Sequence, residues 1–274
     1  MSASLAPSLP APSRRLVELT SAESARLISE TSILCLPLGS IEQHGPHLPL
    51  NTDVVVAEGL TRAIVAHWGE EFDLWQLPAV PVGLAREHDW AAGTLSLSIT
   101  GFVAHLRELA GTLVRALPAR NLLILNGHGG NRGVLETLLL ELAGDFGLNA
   151  CAIHPFDLAK VDRSFAVPDV HGGQHETSVM LALAPDLVRR ELAAEFDRKR
   201  DAIRALILDR GTSWPWRTDD PRLARDGVIG DATSASAELG AAIIKSVVEE
   251  ARAVLVRLRE NARHPDGASG ARSR

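Results

Sequence analysis

Short apolar runs alternate along the chain with longer segments that show helical apolar spacing. Four runs predict strands, at residues 33–38, 74–82, 121–125 and 150–154. Seven segments predict helices, at residues 20–28, 53–68, 101–117, 133–146, 176–183, 190–208 and 234–258. The predicted strands are apolar throughout rather than alternating, as in a sheet that is buried on both faces. Strands that alternate with helices in this way predict an α/β fold, with a parallel or mixed sheet and helices on both faces.

The composition is that of a globular protein with a sizeable core, because 46% of the residues are apolar and 23% are charged. The net charge of −6 and the lack of a basic stripe argue against nucleic-acid binding. No apolar run approaches the ~18–20 residues of a membrane span, and Met1 to Arg15 lack the apolar segment of a secretory signal. Cys35 and Cys151 lie in apolar runs and read as core residues in a reducing compartment. These features predict a cytoplasmic protein.

The length of 274 residues allows one large α/β domain or two small ones. A single domain over residues 15–261 is predicted, because no linker or internal repeat interrupts the alternation of strands and helices. Residues 1–14 and 262–274 are rich in Pro, Ser, Gly or Arg and are predicted to be disordered tails.

The segment after the first predicted strand carries a carboxylate, imidazole groups and a second carboxylate within 12 residues. Glu42 and His44 are two positions apart, so on an extended chain both side chains point to the same side and can reach one ion. Asp53 has two carboxylate oxygens and could bridge a pair of ions. The alternative is an exposed polar loop in which Asp53 caps the next helix.

The third predicted strand ends in Asn-Gly-His-Gly-Gly-Asn at residues 126–131. Glycines around His128 let the backbone approach a ligand closely. An anion cradle at a helix N-terminus is a weaker interpretation, because no Lys, Ser or Thr follows where a phosphate-binding loop needs one. The remaining alternative is a glycine-rich turn with an incidental histidine.

A third polar segment, at residues 171–178, reads His-Gly-Gly-Gln-His-Glu-Thr-Ser. His171 and His175 have the spacing of a helical zinc pair, but Gly172 and Gly173 between them argue against a regular helix there. The pattern favours Glu176 as a ligand in the first helical turn, with His171 on the preceding loop as an acid–base group. The alternative is that Glu176 only complements the helix dipole.

Four segments together resemble the creatininase (creatinine amidohydrolase) family: LPLGSIEQHGPHLPLNTDV (36–54), NGHGGN (126–131), HGGQHETSVMLALAP (171–185) and GVIGDATSASAELG (227–240). The resemblance implies a three-layer α/β/α sandwich with a mostly parallel sheet, usually a homohexamer. It also implies two divalent metals that serve hydrolysis of an amide C–N bond. Carried over by motif, it makes His171 the proton-transferring histidine and Asp53 the bridging ligand. The implied metal ligands are Glu42, His44, Asp53, His128 and Glu176.

Departures from creatininase proper favour another branch of the family. Gly130 stands where creatininase proper has a glutamate, and residues 87–94 read EHDWAAGT rather than EHxxFPGT. Phe156 replaces one pocket tryptophan, and residues 164–170 contain none. The motifs are closer to the formamide hydrolase of archaeal flavin and deazaflavin synthesis and to the mycofactocin-pathway peptidase. The segment 214–220, Trp-Pro-Trp-Arg-Thr-Asp-Asp, either covers the substrate or packs as a surface turn.

The predicted function is therefore a binuclear metal-dependent amidohydrolase for a cyclic amide, formamide or similar small substrate. Mixed His and carboxylate ligands suit Zn²⁺, Mn²⁺ or Fe²⁺, and two ions would give a bridging hydroxide as nucleophile near neutral pH. His171 would then donate a proton to the leaving nitrogen, and Glu87 or His88 would orient the substrate. The alternatives are a mycofactocin-type peptidase and a non-catalytic metal-binding protein of the same fold. A binuclear phosphoesterase lacks the clustered Arg or Lys beside the ligands.

Overall fold

The computed structural model describes residues 13–161, 168–193, 200–209 and 211–263. Among these residues, strands β1 (Ile33–Leu38), β2 (Leu74–Gln76), β3 (Asn121–Asn126) and β4 (Asn149–Ile153) form a parallel sheet. The strand order is β2-β1-β3-β4. The central strands β1 and β3 pair over their full length, so both end at the same edge of the sheet. Every residue of these two strands is buried, as their continuous apolar sequence predicts.

Helices cover both faces of this sheet. They are α1 (Ser21–Leu27), α2 (Thr52–Phe72), α3 (Ile99–Ala116), α4 (Arg132–Phe146), α5 (Pro155–Leu158), α6 (Gln174–Leu183), α7 (Arg200–Ile203) and α8 (Ala237–Arg263). Alternate strand residues enter two separate cores. Ile33 and Cys35 pack with α2, α6 and α8, while Leu34 and Leu36 pack with α3 and α4. The structure is a three-layer α/β/α sandwich, which confirms the predicted fold class.

Two predicted elements differ from the structure by more than a few residues at their ends. The second strand ends at Gln76 rather than at residue 82, because Pro78 and Pro81 have no N–H to donate to a neighbouring strand. The helix predicted over 190–208 is broken in the described residues into a short 3-10 turn (Arg190–Leu192), α7 and a π-type turn (Arg204–Leu208). Residues 194–199 of that prediction lie outside the described ranges.

The N-terminal end of the described chain is anchored on the sandwich. Arg14 pairs with Asp73 at 3.2 Å and lies over the Trp75 ring. Residues 1–12 and 264–274 of the predicted tails, and residues 164–167 of the segment without tryptophan, fall outside the described ranges. No helix within those ranges combines the length and apolar character that crossing a bilayer requires.

Two glycines let helix α2 begin directly on the ends of the central strands. A β-carbon at Gly39, after β1, would lie 2.8 Å from the backbone of Val54. One at Gly127, after β3, would lie 2.4 Å from the carbonyl oxygen of Asp53. Real β-carbons do not approach backbone atoms this closely, so the contact requires glycine. The first turn of α2, with Asp53, is thereby held against the carboxyl edge of the sheet.

We predict that Gly127→Ala lowers the free energy of unfolding by about 1–3 kcal/mol, because its methyl group would push the start of α2 off β3. Urea-induced unfolding measures the change. The matched control is Gly144→Ala in α4, where an added methyl group meets nothing within 4 Å. That variant should be neutral or more stable by up to about 1 kcal/mol. Equal stability of Gly127→Ala and the wild type would contradict the tight contact.

Candidate metal centre

Five polar side chains from separate parts of the sequence meet at the carboxyl edge of the sheet. Glu42 and His44 follow β1, and His128 follows β3. Asp53 and Glu176 lie in the first turns of α2 and α6. Parallel strands bring their carboxyl ends to one edge, which is where ligands bind in open α/β sheets. All five side chains are at least 85% buried.

Asp53 lies between two groups of potential ligands. Its Oδ1 is 3.0 Å from Nε2 of His44, and its Oδ2 is 3.2 Å from Nδ1 of His128. Glu42 Oε2 lies 3.1 Å from the same His128 nitrogen, and Glu176 Oε2 lies 3.8 Å from Nε2 of His44. Glu42, Asp53 and His128 thus form one set that could hold a cation, and His44, Asp53 and Glu176 form a second. The carboxylate of Asp53 belongs to both.

The hydrogen bonds of the site do not by themselves compensate the negative charges of its buried carboxylates. Both oxygens of Glu42 and Oδ2 of Asp53 are buried and face imidazole nitrogens at 3.1–3.2 Å, without a well-aligned hydrogen bond in the described structure. Burial raises the pKa of Glu42. Burial opposes a charge on His44 as well, yet the carboxylates of Asp53, Glu176 and Glu42 together outweigh it and raise the pKa of His44 to about 10. In the protein alone, protons on imidazoles balance the carboxylates, and divalent cations could take that role. The donor set therefore fits a metal centre.

Backbone groups fix which ring nitrogens face the carboxylates. Nε2 of His128 donates a hydrogen bond to the carbonyl oxygen of Leu84 at 2.5 Å, which turns Nδ1 towards Glu42 and Asp53. Nδ1 of His44 lies 3.1 Å from the carbonyl oxygen of Glu42, which leaves Nε2 for Asp53. Such contacts orient the histidine ligands of metal sites and set their tautomers.

His171 lies beside this cluster. Its Nε2 donates to the carbonyl oxygen of Gln43 at 2.7 Å, and its Nδ1 lies 3.7 Å from Oε1 of Glu42. The ring lies between those of His44 and His88, with centroid distances of 4.3 and 4.1 Å and tilts of 37° and 35°. Burial, and then the charge of His44, hold the pKa of His171 well below its usual value. Because the carbonyl oxygen of Gln43 holds Nε2, Nδ1 is the nitrogen that faces the carboxylate of Glu42.

Glu87 and His88 occupy different depths of the site. Glu87 lines the open cleft, and its Oε1 lies 3.6 Å from Nε2 of His128. A β-carbon at Gly130 would lie 2.4 Å from that Glu87 oxygen, so the Glu87 carboxylate occupies the space beside this glycine. The side chain of His88 is 2% exposed, with Nε2 at 3.2 Å from Oε1 of Glu42. Its Nδ1 faces Thr218.

Sequence reasoning missed three polar residues that support the cluster. Gln43 donates from Nε2 to the hydroxyl of Thr218 and to the carbonyl oxygen of Gly227, each at 3.1 Å. Asp169 accepts the N–H groups of Gln174 and His175 at 2.9 Å and so fixes the start of α6. Gln43 stands between two predicted ligands, which is a signal that could have found it. Thr218 and Asp169 have no such signal, because their contacts depend on the tertiary structure.

His175 points away from the cluster. Its Nδ1 lies 3.2 Å from Asp169, and its ring is stacked on Phe156. The structure thus agrees with rejecting a zinc pair made by His171 and His175.

A cleft of about 610 Å³ opens above the cluster. Its floor includes His128, His171 and Glu176, and its walls come from residues 86–89, 129–130 and 214–217. A volume of roughly 300–1,000 Å³ is typical of small-molecule sites. The arrangement combines a candidate metal centre, an adjacent imidazole and a binding cleft.

Comparison with known proteins identifies related enzymes. A family model described as creatininase, creatinine amidohydrolase, matches residues 17–255. The mycofactocin precursor peptide peptidase of Mycobacterium tuberculosis is 35% identical over 243 residues, which cover 85% of this chain and 88% of the relative. The creatinine amidohydrolase of Pseudomonas putida is 29% identical over 253 residues, with 85% and 92% coverage.

Solved creatininase structures share the fold. One described with manganese has a TM-score of 0.71, and a mutant described as the Zn–Zn type has one of 0.72. Both are 25% identical and cover 99% of the known chain, with 91% and 92% of this chain matched.

We predict that Zn²⁺ or Mn²⁺ at about 100 times its Kd raises the melting temperature by roughly 5–10 °C, since a ligand of the native state stabilises it by mass action. Glu42→Gln should remove most of this rise, because it takes away a buried negative charge of nearly the same shape. Without metal, the variant should be at least as stable as the wild type. Differential scanning calorimetry measures both effects, with the exposed Glu108→Gln as the control. A wild-type melting temperature that neither metal changes would contradict a metal centre here.

Proposed function

The chain belongs to the creatininase family of C–N hydrolases, and on this premise we propose that it is a binuclear metal-dependent amidohydrolase. The observation that carries the proposal is the position of Asp53, whose two oxygens face different histidines in two ligand sets. The fully buried oxygens of Glu42, which face imidazole nitrogens without a well-aligned hydrogen bond, support it. The proposed ligands are Glu42, His44, Asp53, His128 and Glu176, with Asp53 bridging.

This donor set suits Zn²⁺, Mn²⁺ or Fe²⁺, because imidazole and carboxylate ligands bind all three. When bound, such a pair supplies activation of water near neutral pH and polarisation of the scissile carbonyl group. Known creatininase structures described with manganese or as a zinc pair support the choice of metals.

His171 is the proposed proton-transfer residue. The carbonyl oxygen of Gln43 holds Nε2, so Nδ1 is the atom that can take up a proton and deliver it to the leaving nitrogen. Close contacts with the imidazole rings of His44 and His88 on either side restrict the orientation of the ring. His171 thereby makes the nitrogen a better leaving group without moving from its place beside Glu42.

Glu87 and His88 are the proposed substrate-orienting residues. The Glu87 carboxylate faces the cleft and can accept a hydrogen bond from a substrate N–H group. His88 lies deeper than Glu87 and contacts the carboxylate of Glu42. His88 therefore acts on the substrate mainly by holding the Glu42 carboxylate in place.

The substrate proposed first is a small amide, either cyclic or a formamide. A peptide bond is the second candidate, because the cleft volume of about 610 Å³ exceeds the needs of a one-ring amide. The 35% identity to a precursor peptide peptidase also favours it. The homohexamer and the cytoplasmic location stay predictions.

We predict about two metal ions per chain for the wild type and a collapse of that ratio in Asp53→Ala, because one carboxylate belongs to both ligand sets. Elemental analysis by plasma mass spectrometry gives the ratio, and the surface variant Asp145→Ala is the control. A panel of a lactam, a formamide, a short peptide and a phosphate monoester then identifies the bond cleaved. A ratio of zero or one that reconstitution with Zn²⁺ or Mn²⁺ does not raise would refute the binuclear centre.

We further predict that His171→Ala keeps the metal ratio of the wild type while kcat falls by at least ~100-fold. Steady-state kinetics on the amide found in the panel measure the fall in kcat, and elemental analysis of the same sample measures the metal ratio. Loss of metal in this variant would make His171 a ligand. Unchanged turnover would remove it from the reaction.

A further inference from the structure

Two tryptophans form the outer wall of the cleft above the candidate metal centre. Trp216 is half-buried and packs on the small cluster of Ile203, Leu223 and Ile229. Trp214 is 55% exposed although it lines the cleft. Its Nε1 donates to the hydroxyl of Thr212 at 3.2 Å. The polar atom of Trp214 is therefore satisfied, and the rest of its indole offers an apolar surface to whatever enters the cleft.

This wall is fixed to the residues that support the metal centre. Thr218 is 1% exposed, and its N–H donates to the carbonyl oxygen of Glu87 at 3.0 Å. Its hydroxyl lies 2.9 Å from Nδ1 of His88 and 3.1 Å from Nε2 of Gln43. The hydroxyl also accepts from Nε1 of Trp90 at 3.0 Å. A wall held by these contacts is pre-organised, which lowers the entropic cost of binding a ligand against it.

The charges along this wall balance one another. Arg217 pairs with Asp89 at 2.8 Å and with Asp219 at 3.1 Å, and Arg86 lies 3.6 Å from Asp89. Two guanidinium groups thus pair with two carboxylates, and Glu87 adds a third carboxylate to the wall. The wall has little net charge to select an anionic or cationic ligand, so its distinguishing chemistry is the exposed aromatic surface.

We propose that Trp214 forms a subsite for a planar aromatic substituent of the amide substrate. The proposal rests on the function proposed above and narrows its substrate class to amides that carry an aromatic ring. Flat rings stack favourably on indole, and a cleft of about 610 Å³ has room for such a ring beside the amide group. In the sequence, segment 214–220 could be either a substrate cover or a packed turn; Trp216 fits the second description and Trp214 the first.

Two neutral amides that differ only in the ring test the subsite. N-benzoylglycinamide and N-acetylglycinamide are titrated into the metal-loaded enzyme and followed by ligand-observed NMR, which reports binding and hydrolysis in the same sample. The wild type should bind the benzoyl compound about 3- to 10-fold more tightly. Trp214→Ala should reduce this ratio below about 2-fold, whereas Trp214→Phe should retain most of it.

Leu140→Ala removes an exposed apolar side chain on α4, away from the cleft, and should leave the ratio unchanged. Circular dichroism checks that each variant is folded. A ratio near one in the wild type, or one that survives Trp214→Ala, would overturn the subsite. Ring-dependent binding that depends on Trp214 supports the subsite even if neither amide is hydrolysed, so the two proposals can fail separately.

Discussion

The burial of three carboxylates at one edge of the sheet is the constraint on which the rest of the site depends. Glu42, Asp53 and Glu176 lie within hydrogen-bonding or ion-pair distance of His44 and His128, away from water. Like charges in a medium of low polarity destabilise the folded chain unless cations compensate them. Imidazolium groups can do so in part, and divalent ions more fully. A buried cluster of this composition is costly for stability alone, which is why it indicates function.

The sandwich meets this constraint with backbone as well as side chains. The carbonyl groups of Leu84, Glu42 and Gln43 orient three imidazole rings, and they are held in place by the loops after the strands. The backbone positions in these loops follow from the packing of the two cores. Small changes in that packing would therefore rotate the imidazole rings of His44, His128 and His171. The same framework extends through Thr218 to the tryptophan wall. The candidate metal centre and the cleft are therefore joined by one continuous set of hydrogen bonds.

The sequence predicts best where one local cause dominates. Strand β1 is observed over the predicted residues 33–38, because its apolar run is bounded by polar residues before it and Gly39 after it. Glu176 lies in the first turn of α6, as the glycines before that helix imply. The 190–208 helix and the place of Thr218 were not predictable in this way. Thr218 contacts a residue 131 positions away, and no local pattern encodes such a pairing.

The crowded space at Gly130 has a consequence for how enzymes of this fold diverge. A side chain there would meet the Glu87 carboxylate, Nε2 of His128 and the carbonyl oxygen of Leu84, all within 2.6 Å. The glutamate that creatininase proper has at this position cannot be introduced by one substitution, because Glu87 and the loop carrying Leu84 would have to move with it. A side chain at position 130 is therefore expected to need compensating substitutions at Glu87 or in the loop that carries Leu84. The effects of such substitutions would not be additive, which is a form of epistasis.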